Sequence, residues 1–192
     1  MSFFWQAVFF EGGLAAVAIL ADVIFCLGLD YQACCWCDGK TVIQVIGGLL
    51  PLLAGYFTLQ AISLPALQRV DKLVRQMFRE HMQHWNLIQL ALVAALAGLG
   101  EELLFRGLFQ MGLSGLVDAG WAILITSVFF GLAHAVTPTY SVLAFFISLY
   151  FGWLFFFTGN LFVPMAIHAL YDFAVFLVLK YPLPRRKNSG VV

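Results

Sequence analysis

Charge is what this sequence has least of. Only 10% of its 192 residues are charged, where soluble chains carry about 25%. The ten acidic and ten basic side chains cancel, so no field of one sign points to a nucleic-acid partner. Proline is sparse at six residues, and nothing resembles a low-complexity or linker composition. What fills the gap is apolar: 62% of the chain by count, with twenty Phe and five Trp. A soluble domain could not cover that surface. The composition is that of an integral membrane protein.

A membrane-spanning helix needs about 20 largely apolar residues. Six stretches qualify, at about 3–29, 41–66, 86–114, 119–136, 139–158 and 160–180. They consume most of the chain, so residues 1–192 read as a single all-α domain, a polytopic helix bundle. The runs are too long for barrel strands, which alternate in segments of about ten residues. The first run is no cleavable signal: Met1 to Gln6 has no Lys or Arg, and Glu11 and Asp22 interrupt the apolar stretch. Those two acids are three turns apart on one helix face. They face either the bundle interior or the headgroup region.

Basic residues set the expected orientation. Six crossings put the N-terminus, the 67–85 segment and the C-terminus on one side, with Arg69, Lys72, Arg75, Arg79, Lys180, Arg185, Arg186 and Lys187. Lys40 alone lies opposite, which predicts both termini in the cytoplasm. Between 66 and 85, Leu67, Val70, Leu73, Val74, Met77, Phe78, Met82 and Trp85 form a helical stripe flanked by basic residues. That pattern predicts a cytoplasmic amphipathic helix at the interface, with Trp85 near the headgroups and His81 and His84 solvated. Cys34, Cys35 and Cys37 crowd the opposite loop, with Cys26 nearby; their spacing matches no zinc motif. They are read as incidental or as tying that loop.

The second half carries the chemistry. Glu101 and Glu102 sit inside an apolar run, with Arg106 four residues beyond Glu102. An acid four residues before a base is the favourable helical pair. Glu101 points about 100° away from Glu102, so Arg106 compensates only one of them and Glu101 is the free carboxylate, suited to a general base. Further on come Phe130 and His134, then His168 and Asp172, which share a helix face. Ionisable groups at membrane depth are costly and mark function. Gly131, Ala133 and Ala169 beside them permit close helix approach.

Glu-Glu-x-x-x-Arg, Phe-x-x-x-His and His-x-x-x-Asp, in that order on three apolar stretches, resemble the CAAX protease and bacteriocin-processing family of intramembrane proteases, which includes the type II CAAX prenyl endopeptidases. The match spans residues 101–172. The resemblance implies an endopeptidase in which Glu101 and His134 activate water. His168 and Asp172 hold the oxyanion or position the water, and Glu102, Arg106 and Phe130 support them. Asp172 stands where eukaryotic members have Asn, and an ionised Asp cannot donate to an oxyanion. A metal-free glutamate mechanism is the expectation, with zinc on Glu101, His134 and His168 as the alternative. The implied substrate is a membrane-anchored or lipidated protein or peptide, the setting a prokaryotic inner membrane, and nucleic acid no partner. Two other classes stay open: a small transporter or proton relay, and a catalytically silent immunity or scaffolding member. Oligomeric state is not legible.

Overall fold

The computed structural model describes residues 1–25, 27–29 and 36–182. Cys26, Cys34, Cys35 and the basic trio Arg185, Arg186 and Lys187, singled out above, lie outside the described residues. Among the described residues seven helices follow one another: α1 (Phe3–Phe25), α2 (Gly39–Ala61), α3 (Pro65–His81), α4 (Leu87–Ser114), α5 (Ala119–Ala133), α6 (Pro138–Thr158) and α7 (Phe162–Lys180). No strand occurs among the described residues. Helix α1 ends earlier than its apolar run because Gly28 adopts φ +67° and the Leu29 N–H donates to Asp22 Oδ1 at 3.1 Å. Asp22 thus serves a helix end, whereas Glu11 turns inward.

Local chemistry explains the other boundaries. Asp38 caps α2 by accepting from the Thr41 N–H at 2.7 Å. Ile62 and Leu64 are extended ahead of Pro65, as a residue before proline prefers, and this separates α2 from α3. Asn86 and Gln89 form a reciprocal capping box, each side chain accepting from the other's backbone N–H at 2.9 Å. Thr137 caps α6 and Gly159, at φ +60°, ends it.

Five of these helices, α1, α2, α4, α6 and α7, are long and apolar enough to cross a membrane. The sixth expected crossing is shorter than its apolar run: α5 has 15 residues, about 22 Å against a hydrocarbon core of about 30 Å. His134 ends it with non-helical backbone, and Thr137 starts α6 three residues later. His134 therefore sits at a helix terminus rather than within a span. Ile43, Ile88 and Phe157 are exposed on the rim of the bundle, a lipid-facing surface of the kind a polytopic membrane bundle presents.

Both ends of the bundle are tied by polar contacts. At one end, Asn160 Nδ2 donates to the Trp36 carbonyl at 2.8 Å and to Thr41 Oγ1 at 3.1 Å. At the other, Lys180 Nζ donates to the carbonyls of Gln83 and Trp85. There Phe78, Trp85, Leu90 and Val93 bury a cluster with Phe4 and Phe176, and His81 stacks on Phe3 at 4.4 Å. Trp85 is thus a core residue, packed with Phe78, Leu90, Val93 and Phe4.

Candidate active site

Close helix approach builds the site. A Cβ on Gly98 of α4 would stand 2.6 Å from the Met165 carbonyl and 2.8 Å from the Ala169 nitrogen of α7. Only glycine lets these backbones touch, and the contact sets Glu101 and Glu102 beside His168. Gly131 does the same for α5 against α6, facing Ser141 and Phe145. Directly after the two acids, α4 widens into π-helical turns over Leu103–Gln110, a feature the apolar pattern does not announce. Such turns inside α-helices recur at functional sites.

Glu102 and Arg106 lie across this widening, both fully buried. Arg106 Nη1 donates to Glu102 Oε1 at 3.2 Å, and its Nε lies 3.1 Å from Oε2. Nη2 donates to the Ser148 carbonyl and hydroxyl, both at 2.8 Å. The guanidinium also lies 5.0 Å from the Phe130 ring centroid and 5.5 Å from that of Phe151, within cation–π range. Glu102 Oε1 has a second partner, His168 Nδ1, at 2.9 Å. One buried guanidinium therefore fixes α4 against α6, and the carboxylate it holds fixes the His168 ring.

Glu101 is held differently. It is buried, yet its Oε2 has no hydrogen-bond partner. Two imidazole nitrogens stand near that oxygen: His134 Nε2 at 3.7 Å and His168 Nε2 at 4.0 Å. Both separations exceed a direct hydrogen bond. His134 Nδ1 contacts the Phe130 carbonyl at 2.9 Å; a carbonyl only accepts, so Nδ1 is the donor and Nε2 of the neutral ring keeps its lone pair. His168 Nε2 also faces Asp172 Oδ2 at 3.5 Å.

Phe130 joins the two halves of this arrangement. His134 stacks on its ring at 4.3 Å while Arg106 lies on it at 5.0 Å, and Phe151 stacks on His168 at 5.2 Å. The structure thus brings together all seven residues singled out in the sequence: Glu101, Glu102, Arg106, Phe130, His134, His168 and Asp172. It leaves His81 and His84 apart, on the exposed surface near the end of α3. Sequence reasoning missed Ser148 and Phe151, because one Ser and one Phe in an aromatic helix carry no distinguishing signal.

His134 also borders a cavity of about 290 Å³ between α3 and the ends of α5, α6 and α7. Val70, Val74, Met77 and Phe78 of α3 form one wall, and His134 and Tyr140 the other. The amphipathic helix covers the approach to the site instead of lying apart from it. Among the described residues no group of three or more His, Cys, Asp or Glu side chains is arranged to hold a metal ion.

The model of the family described as type II CAAX prenyl endopeptidase Rce1-like matches residues 83–174. That segment runs from the turn after α3 into α7 and contains every residue of the cluster. No match was found among curated proteins or among solved structures. The chain is an integral membrane protein, and its residues 83–174 are similar to the type II CAAX prenyl endopeptidase Rce1-like family.

Proposed function

We propose that the protein is an intramembrane endopeptidase that hydrolyses a peptide bond of a membrane-anchored or lipidated substrate with Glu101 as general base. The observation that carries this reading is the Glu101 Oε2 atom, buried and unpartnered, 3.7 Å from the lone-pair nitrogen of His134. A water between them donates one hydrogen to each acceptor, which orients an oxygen lone pair toward the substrate. Attack on the scissile carbonyl carbon forms the C–O bond as the water proton passes to Glu101. Collapse of the tetrahedral adduct breaks the C–N bond, and Glu101 returns that proton to the departing amine. The products are a carboxylic acid and an amine, which ionise to a carboxylate and an ammonium in water.

His168 is the group we assign to the oxyanion. Glu102 Oε1 receives its Nδ1–H, and its Nε2 is turned into the site beside Glu101 and Asp172. An Nε2–H there meets charge that develops only on the way to the adduct. Asp172, 3.5 Å from the same nitrogen, orients the ring. It need not donate to the oxyanion itself. Glu102 and Arg106 keep the ring in register without touching the substrate.

The apolar cavity beside His134 suits the hydrophobic part of a substrate next to the bond to be cut. It opens on the side of α3, whose Arg69, Lys72, Arg75 and Arg79 favour the cytoplasmic face. Lys180 joins the end of α7 to the turn after α3, so both termini are assigned to that face. The test uses a fluorescent peptide ending in a farnesylated cysteine followed by two aliphatic residues and a terminal residue. In detergent, Glu101→Gln is expected to lose turnover while its thermal midpoint stays near wild type. Near wild-type turnover in that variant overturns the mechanism.

A further inference from the structure

The cavity beside His134 offers few polar groups. Among the described residues that line it, His134 and Tyr140 alone carry polar side-chain atoms; the others, such as Val74, Met77 and Phe176, are hydrocarbon or thioether. A peptide placed there brings main-chain carbonyls and N–H groups, each of which gives up water and needs a new partner. His134 has nothing to spare for them. Its Nδ1–H goes to the Phe130 carbonyl at 2.9 Å, and its Nε2 faces Glu101. Tyr140 is in a different position: no described residue hydrogen-bonds its hydroxyl, although a half-buried Tyr O–H usually finds a partner.

The place of Tyr140 relative to His134 is built in. The two ring centroids are 6.1 Å apart, with the planes inclined at 55°. The Tyr140 N–H donates to Thr137 Oγ1 at 3.1 Å, and the neighbouring Ser141 hydroxyl donates to the Gly131 carbonyl at 2.6 Å. These bonds tie the first turn of α6 to the last turn of α5, the one that ends at His134. An extended chain advances about 3.3–3.6 Å per residue. A substrate whose scissile carbonyl meets Glu101 and His134 therefore carries a flanking carbonyl toward Tyr140. A few fixed polar groups in an apolar cavity are how such sites set the orientation of what they bind.

We infer that Tyr140 is a substrate-binding residue whose hydroxyl donates a hydrogen bond to a main-chain carbonyl flanking the scissile bond, and so sets the register of the peptide against Glu101 and His134. The inference rests on the peptidase reading and names part of what that site recognises, the peptide main chain itself.

Tyr140→Phe keeps the ring and removes the donor. With the farnesylated peptide it is expected to lower kcat/KM by about 3- to 10-fold, the scale of one hydrogen bond, while the thermal midpoint stays near wild type. Two further peptides carry a thioamide at the carbonyl on one or the other side of the scissile amide, which exchanges oxygen for sulfur, a weaker acceptor. One of them should be cut more slowly by wild type, and Tyr140→Phe should lose little more on that same peptide, since the contact is already gone. A ring that only packs against His134 predicts the opposite. If Tyr140→Phe cuts the parent peptide like wild type, or if the thioamides slow both enzymes equally, the inference is overturned. Should Tyr140→Phe fail to fold, wild type decides: a loss with one thioamide supports the inference, and a loss with neither overturns it. An active Glu101→Gln overturns the peptidase reading instead; an inactive Glu101→Gln beside a fully active Tyr140→Phe overturns only the role of Tyr140.

Discussion

Replacing Arg106 by Met should be among the most destabilising single changes in this protein, and the structure says why. The guanidinium is fully buried and meets both oxygens of Glu102. Its two hydrogen bonds to Ser148 are a minor part of the effect, since such bonds between membrane helices average about 0.6 kcal/mol. The larger part is the carboxylate left behind. Removing one partner of a buried ion pair costs about 3–5 kcal/mol because the other charge stays buried and uncompensated. At about 2–4 °C per kcal/mol for a chain of this size, the thermal midpoint should fall by about 6–20 °C. Tryptophan fluorescence during thermal unfolding in detergent measures it. The decisive comparison is the double variant Glu102→Gln with Arg106→Met. Removing both charges should restore much of the loss, because uncharged residues in place of a buried pair are often close to neutral. A single variant within about 1 kcal/mol of wild type, or a double variant less stable than the single, would refute the pairing as the reason these residues are present.

The remaining expectations concern metal, pH and orientation. Exhaustive chelation should leave cleavage of the farnesylated peptide unchanged; activity lost on chelation and restored by zinc would make Glu101, His134 and His168 ligands and displace Glu101 as base. Hydrogen bonds from the Thr41 N–H and hydroxyl hold the Asp38 carboxyl below its usual value of 3.8. A lowered folded-state value stabilises the protein above 3.8 and is lost as pH falls through that lowered value, so the thermal midpoint of Asp38→Asn should vary less in acid than that of wild type, and parallel curves would refute the cap. Cys37 is exposed and free, near Lys40 and away from α3. An impermeant thiol reagent should reach it in intact cells, in a variant lacking the other cysteines, and labelling only after permeabilisation would reverse the assigned orientation.

Much of the site was legible in the sequence because helical spacing is a strong constraint. Glu102 and Arg106, His168 and Asp172, and Phe130 and His134 are each four apart, and each pair meets in the structure. The distribution of charge within the acidic pair followed from the same geometry, since one guanidinium can serve only one of two adjacent carboxylates. What stayed hidden lay between helices. Ser148 and Phe151 hold Arg106 and His168 from α6, at sequence distances where periodicity says nothing. The widening of α4 at Leu103–Gln110 is equally silent, because a spacing pattern does not distinguish one wide turn from a regular helix. The length of α5 was overread for a related reason: Leu132 to Val136 is apolar, but His134 and Thr137 spend their hydrogen bonds on ending one helix and starting the next.

That early end of α5 has a consequence for the chemistry. A histidine within a regular helix has its backbone committed to the helix on both sides. His134, at the terminus, stacks on Phe130 one turn back and bonds that residue's carbonyl through Nδ1. The same ring carries Arg106 on it, and Arg106 holds Glu102, which holds His168. The main-chain carbonyl of Phe130 sets the tautomer of His134, and its ring links the stacking of His134 to the guanidinium that holds Glu102 and, through it, His168. Phe130→Leu should leave Glu101 in place yet loosen both imidazoles at once, lowering kcat more than either stacking contact alone would suggest. Phe130→Tyr keeps the ring and should retain most of the rate. Equal kcat for Phe130→Leu and wild type would show that the backbone of α5, and not this ring, positions His134.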